Sequence, residues 1–266
     1  MEKRGHSVDI IDLSTVPLNN FEAHSFITKL CEYDIVYYRS GLPTDLIITL
    51  EGFLNINKVK TINLHFIKHP FINSKTYGNL VVNSINLKTP NSLFNYPDDF
   101  ATVVKTIGLP FVIKPNDGAR GENIHLINTA DELQTVVENN PDLDFLYQSF
   151  IPHHGDYRVH TVGGKVVAMY SRTPKDGDFR CNVSQGGCMV SVEEKYIDKL
   201  TELASKVAAL FDFEIMAVDF MLHSETDEFY FTEINLNPGW EISDDIATGV
   251  DLSAVTVDYF EKICND

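Results

Sequence analysis

Gly163 and Gly164 stand between two runs, residues 157–162 (YRVHTV) and 165–171 (KVVAMYS), that are rich in β-branched, apolar and aromatic side chains. Adjacent glycines reach the positive φ angles of a two-residue turn without steric cost, so this pair predicts an antiparallel hairpin. A second pair of strand-like runs, 214–222 and 228–235, flanks residues 224–227. The last third of the chain is therefore expected to be antiparallel sheet. A long helix over 193–211, with Ser191 near its start, lies between the hairpins, and two short helices close the chain.

The pattern upstream is different. Residues 7–13 (SVDIIDL), 34–38 (DIVYY) and 58–63 read as strands, and 22–31 and 45–53 as helices. Strands that alternate with helices indicate an open parallel sheet. Residues 75–86 follow as a helix with Ser74 as its N-cap. A helix over 97–106 ends at Gly108, strands cover 111–114, 123–127 and 145–151, and a helix covers 130–139. The expected class is α/β, or α+β in detail. Its units are 1–73, a small parallel α/β domain; 74–151, a compact sheet with helices; and 152–266, the antiparallel part.

Thirty-eight acidic residues against 21 basic ones give a net charge of −17. The field of such a surface repels nucleic acid and anionic membranes, so neither is an expected partner. No run approaches the length of a membrane span. Asp9 and Asp12 interrupt the first apolar run, which excludes a secretory signal. Cys31, Cys181, Cys188 and Cys264 form no C-x-x-C pair. They read as reduced thiols of a cytoplasmic protein.

Three features carry chemistry. Glu233 and Asn235 lie two apart on one strand and share a face. The facing strand brings Asp219 within about one ladder position of Glu233. Carboxylates in an apolar setting repel unless a cation lies between them, and oxygen donors of this kind suit Mg²⁺; a plain surface strand is the alternative. Second, FVIKPNDGARG (111–121) delivers Lys114 from an apolar strand, stops the strand at Pro115, and continues through Gly118 and Gly121. A lysine beside a glycine loop can hold phosphate, although the segment taken alone reads first as a strand followed by a tight turn. Third, Arg158, Lys165, Arg172, Lys175 and Arg180 cluster in an acidic protein. With a two-residue turn at 163–164, Arg158 and Arg172 fall on opposite faces, so both reach one site only through a bulge.

In order, the chain carries KT-x-G-x-L from Lys75, FVIKP-x-x-G-x-x-G, YQSFI (147–151), GDYRVHTVGGKVVAMYSR (155–172), DFRCN-x-x-x-GG (178–187) and AVDF…TEINLNPG (217–239). That order resembles the ATP-grasp superfamily, and within it the RimK-like ligases that join a carboxylate to an amine. The resemblance implies two α+β subdomains holding ATP between them. It implies nucleotide contacts from Lys75, Lys114, Gly118, Gly121, Gln148, Ser149, Phe150, Ile151, Asp156 and Arg158, with the hinge at 149–151 acting mostly through backbone groups. Arg172, Arg180 and Asn182 would surround the γ-phosphate. Asp219, Glu233 and Asn235 would bind Mg²⁺, with Mn²⁺ as a substitute. Two departures stand out: Ser149 where the family usually has glutamate, and Ala119 where serine is frequent. A kinase on the same fold and a non-catalytic nucleotide-binding protein are the rival functions.

The implied substrates are small-molecule or peptide carboxylates and amines. Arg39, at the end of a parallel strand, could meet an acidic substrate or simply anchor a loop. The opening Met1–Gly5 reads as the last turn and cap of a helix. In the resembling family a strand and helix precede such a turn. Residues up to about 61 are therefore expected to be least stable, or to be completed by a partner such as a second copy in a homodimer.

Overall fold

The computed structural model describes residues 1–13, 20–39, 44–94, 99–118, 121–182, 186–239, 245 and 247–265. Ala119, Arg120 and Trp240 lie outside them. Among the described residues, three sheets organise the chain. The first is a parallel pair, β1 (Val36–Tyr37) with β2 (Thr61–Ile62), accompanied by α1 (Asn20–Leu30) and α2 (Thr44–Ile56). The second has the order β3-β6-β4-β5, from Ser92–Leu93, Phe145–Ser149, Phe111–Pro115 and His125–Ile127. The third has the order β11-β10-β7-β8-β9, from Phe229–Asn235, Ile215–Leu222, Asp156–Val162, Lys165–Thr173 and Cys188–Val190. All pairings in the second and third sheets are antiparallel.

Residues 7–13 are not a strand. Alternating side chains make a strand only when a partner supplies the ladder bonds, and among the described residues the first sheet consists of β1 and β2. Ile11 and Leu13 pack on the core, Ile10 is 95% exposed, and Asp9 accepts a hydrogen bond from the Tyr33 hydroxyl. Glu2–Arg4 does form a single 3₁₀ turn, closed by Gly5 at φ +88°. At the other end Asp245, Ala247 and Thr248 are helical, and a helix of 14 residues, α7 (Leu252–Asn265), follows them, longer than the short helix expected. All four cysteines are free thiols. Among the described residues no helix is long and apolar enough to cross a membrane.

In sequence the helix α3 (Lys75–Ser84) precedes the second sheet, and α4 (Phe100–Ile107) lies between its strands β3 and β4. Ser74 caps α3 by accepting from the Tyr77 amide. The α5 helix (Ala130–Asn139) starts with a capping box between Thr129 and Glu132, two reciprocal bonds that satisfy otherwise orphaned amides. The third sheet is two-faced. Met216, Val218, Phe220 and Val159 join the core under α6 (Glu194–Phe211), which buries Leu200, Ala204, Val207 and Phe211. Strand alternation then turns Asp219, Met221 and Asp156 to the other face. Gly163 has φ +58°, and a Cβ there would lie 2.5 Å from the Tyr259 ring on α7. The turn thus needs glycine both for its backbone angle and for helix docking.

Candidate functional site

The polar face of the third sheet meets the second sheet across a cleft. From the second sheet and its connections come Lys75, Lys114, Gly118, Gly121 and Ile124; from the third come Asp156, Arg172, Asp219, Met221, Thr232 and Glu233, with Asn182 from the loop after β8. A continuation of the cleft is lined by Val112, Gln148, Ser149, Phe150, Ile151, His153, Phe179, Arg180 and Cys181.

Both hairpins depart from simple pairing, and both departures build the site. In β7–β8 the register shifts between His160 and Thr161, so that Asp156 pairs with Arg172 and Arg158 with Tyr170. The extra residue, Val167, puts Arg158 and Arg172 on the same face. In β10–β11 the register shifts beside Asp219, which makes Asp219 and Glu233 direct partners. Asp219 also pairs with Arg158 across β7.

The result is a buried ionic array. Arg158 donates through Nε and Nη2 to Asp219 at 2.8 and 2.7 Å. Arg172 donates through Nε and Nη2 to Asp156 at 2.6 and 2.7 Å, and its Nη2 also reaches Asp219 at 2.9 Å. Arg172 is 3% exposed and Asp219 2%. Burial pushes the Asp219 carboxyl up, but Arg158 and Arg172 outweigh it and hold the group below the usual carboxylate range. Burial, with the Asp219 charge adding to it, pushes Asp156 up to about 6 against the pull of Arg172. Glu233 is more open, with the Arg158 guanidinium 4.0 Å away.

Lys114 is 8% exposed, and burial lowers its ammonium to about 8 even though Glu233 acts in the opposite sense. Burial also lowers Lys75, whose Nζ donates to the Gly118 carbonyl at 2.8 Å. Asn116, a residue the sequence reading passed over, ties the loop after β4 to the start of α3. Its side-chain oxygen accepts from the Thr76 amide and the Ser74 hydroxyl, and its carbonyl accepts from the Lys75 amide. At Gly121, φ is +72° and a Cβ would sit 2.6 Å from Asn182 Oδ1, so only glycine allows this approach of the loop to Asn182. Arg180 is held by Asp178, whose carboxyl it draws down to about 2.

At the hinge, the Ser149 amide donates to the Asn91 carbonyl and the Phe150 amide to the Pro110 carbonyl. Gln148 donates to Ser92 and Asn79. Ile124, just before β5, and Met221, on β10, are apolar lining of the same cleft; their sequence neighbourhoods offer no signal for this. Arg158 stands behind the lining as a partner of Asp219. Arg39 anchors the loop after β11 by donating to the Pro238 carbonyl at 3.1 Å.

Lys75, Lys114 and Arg172, with Arg158 behind them, stand against Glu122, Asp156, Asp219 and Glu233, so these charges balance, and Lys75 and Lys114 are the cations that a polyphosphate would meet. The donor set also suits a hard cation. Asp219 and Glu233 are cross-strand partners; Asp219 Oδ2 accepts from both guanidinium groups while Oδ1 accepts from Arg158 alone, so Oδ1 keeps a lone pair for a cation. Asn235 lies two residues beyond Glu233, with its Oδ1 accepting from the Asn237 amide at 2.9 Å.

Lys114→Ala is expected to weaken polyphosphate binding by about 1.5–3 kcal/mol, the range for a charge-assisted hydrogen bond. In the unmodified protein the lysine begins to lose its proton near pH 8, while a bound anion favours the charged form. Affinity should therefore fall as pH rises through about 8, with proton uptake on binding. Calorimetry with a non-hydrolysable ATP analogue in buffers of different ionisation enthalpy measures both. Equal affinities for the variant and the unmodified protein would remove Lys114 from the site.

Comparison with known proteins gives a consistent picture. The family description of a RimK-like ATP-grasp domain matches residues 57–260. A probable alpha-L-glutamate ligase of Vibrio parahaemolyticus is 28% identical over 98% of this chain and 88% of its own length. One of Hydrogenovibrio crunogenus is 27% identical with the same coverage. Among solved structures, D-alanine–D-alanine ligase of Bacillus anthracis superposes with a TM-score of 0.69 at 16% identity, covering 91% of this chain and 83% of that one. The ATP-grasp ligase PsnB, solved with a minimal precursor, Mg and ADP, gives 0.63 at 12% identity, covering 86% and 78%.

Proposed function

The chain belongs to the RimK-like ATP-grasp family and is a ligase, and we propose that it joins a carboxylate to an amine, with L-glutamate as one substrate, while ATP is cleaved to ADP and phosphate. The observation that carries this reading is the ionic array of Asp156, Arg158, Arg172 and Asp219 beside Lys114 and Glu233 in a cleft between two sheets. Glutamate is supported by the names of the relatives.

In this reading ATP lies between units 74–151 and 152–266. Ile124, Met221 and the hinge at 148–151 enclose the base, while Lys75, Lys114 and the loop with Gly118 and Gly121 draw in the phosphates. Asp219, Glu233 and Asn235 hold Mg²⁺ or Mn²⁺. The bound ion would neutralise charge on the phosphate oxygens during transfer. Arg172, Arg180 and Asn182 orient the γ-phosphoryl group and the acid. A carboxylate oxygen of the acid bonds to the γ-phosphorus as the bridge to ADP breaks. The amine then attacks the acyl carbon and loses its proton, and phosphate leaves with the carboxylate oxygen. Positioning and charge neutralisation supply the catalysis, with no covalent enzyme nucleophile.

The test is ADP formation with L-glutamate and a panel of amino acids and short peptides, with products identified by mass spectrometry. An amide formed in step with ADP supports the proposal. A stable phosphorylated product would instead favour a kinase, and nucleotide binding without turnover across the panel would favour a non-catalytic role.

A further inference from the structure

Asn63 follows β2. It is 1% exposed and has a left-handed backbone with φ +58°, a conformation that asparagine tolerates better than most residues. Its side chain bridges from the first sheet to the third. Oδ1 accepts from the Ile215 amide at 2.9 Å. Nδ2 donates to the Ile215 carbonyl at 2.7 Å and to the Leu236 carbonyl at 2.9 Å. The backbone amide donates to Glu214 Oε2 at 2.7 Å. These partners leave the side-chain amide one orientation, since a flipped group would set oxygen against two carbonyls.

The Leu236 carbonyl belongs to the same planar peptide unit as the Asn237 amide. That amide donates to Asn235 Oδ1 at 2.9 Å. Asn63 therefore grips one side of a plate whose other side holds the Asn235 side chain. A rotation of the plate that broke the first bond would break the second. Glu51 and Lys60 also engage neighbouring backbone, but Glu51 binds the Ile67 amide and Lys60 the carbonyls of Ile263 and Cys264, and neither touches this peptide.

We propose that Asn63 is a positioning residue that orients Asn235 for metal binding through the Leu236–Asn237 peptide. This rests on the reading of Asn235 as a ligand of the metal. It couples a residue of the first unit to the catalytic chemistry of the third, a distance in sequence of more than 150 positions. Outer partners of metal ligands typically change metal affinity by 10–100-fold when replaced.

Two variants separate positioning from folding. Asn63→Gly keeps the left-handed backbone without strain and removes the side chain. Asn63→Asp keeps the acceptor for Ile215 but loses both donations. Mn²⁺ binding in the presence of ADP is measured by calorimetry, alongside the Mg²⁺ midpoint for turnover and the melting temperature. Both variants are expected to bind Mn²⁺ about tenfold more weakly, and to need correspondingly more Mg²⁺, with ADP affinity itself nearly unchanged. Lys60→Ala should leave metal affinity unchanged. If the Asn63 variants lose melting temperature while Mn²⁺ affinity stays that of the unmodified protein, the role is structural and the proposal is overturned. Failure of both variants to fold overturns it in the same way. A Glu233→Gln control distinguishes the two levels: if it also leaves Mn²⁺ affinity intact, the metal site itself is misplaced.

Discussion

Arg172→Ala is expected to lower folding stability by about 3–5 kcal/mol, the typical penalty for removing one partner of a buried ion pair. Arg172 provides three short hydrogen bonds to Asp156 and Asp219. Without it, Asp219 retains Arg158, but Asp156 is left in a site where burial already raises its pKa to about 6. The variant should relieve this by taking up a proton, so its deficit should shrink as pH falls through the raised Asp156 pKa. In the double variant Asp156→Asn, Arg172→Met no carboxylate is stranded, and much of the loss should return. Urea unfolding at several pH values measures all of this. A loss under about 1 kcal/mol at neutral pH, the level of an exposed pair, would contradict the buried array.

Glu233→Gln is expected to keep the fold and to lower Mg²⁺-dependent turnover by about 10²-fold or more, since a neutral amide cannot balance a divalent ion or the charge that develops in transfer. Glu233 is the more open of the two facing carboxylates, so its replacement leaves no unpaired buried charge. The melting temperature should therefore stay close to that of the unmodified protein. Excess Mg²⁺ should restore part of the rate. Normal ATP turnover by this variant with an active substrate pair would move the metal site elsewhere.

Local chemistry made much of this architecture legible. The Gly163-Gly164 hairpin, the β10–β11 pair and the shared face of Glu233 and Asn235 each depend on residues close in sequence, where turn chemistry and strand parity act directly. Register at bulges does not follow from such rules. Parity separates Arg158 from Arg172, and only the extra residue at Val167 reunites them; nothing in VVAMYS marks that position as a bulge. The β10–β11 shift beside Asp219 was equally silent. Residues 7–13 carry a strand pattern but remain irregular, because pairing depends on a neighbour rather than on the segment itself. Asn63 and Asn116 look like ordinary loop asparagines in sequence. Their roles come from backbone groups that are distant along the chain, which a motif does not encode.

The most direct test of the ligase account follows one oxygen atom. The acid substrates of the ADP-formation panel are labelled with ¹⁸O in their carboxylates and incubated with ATP, Mg²⁺ and L-glutamate, and the released phosphate is analysed by mass spectrometry. If the carboxylate attacks the γ-phosphorus and an amine then displaces phosphate, one labelled oxygen passes from the acid to each phosphate released, in step with amide formation. Amide formation with unlabelled phosphate, or phosphate that remains attached to a stable product, would contradict it.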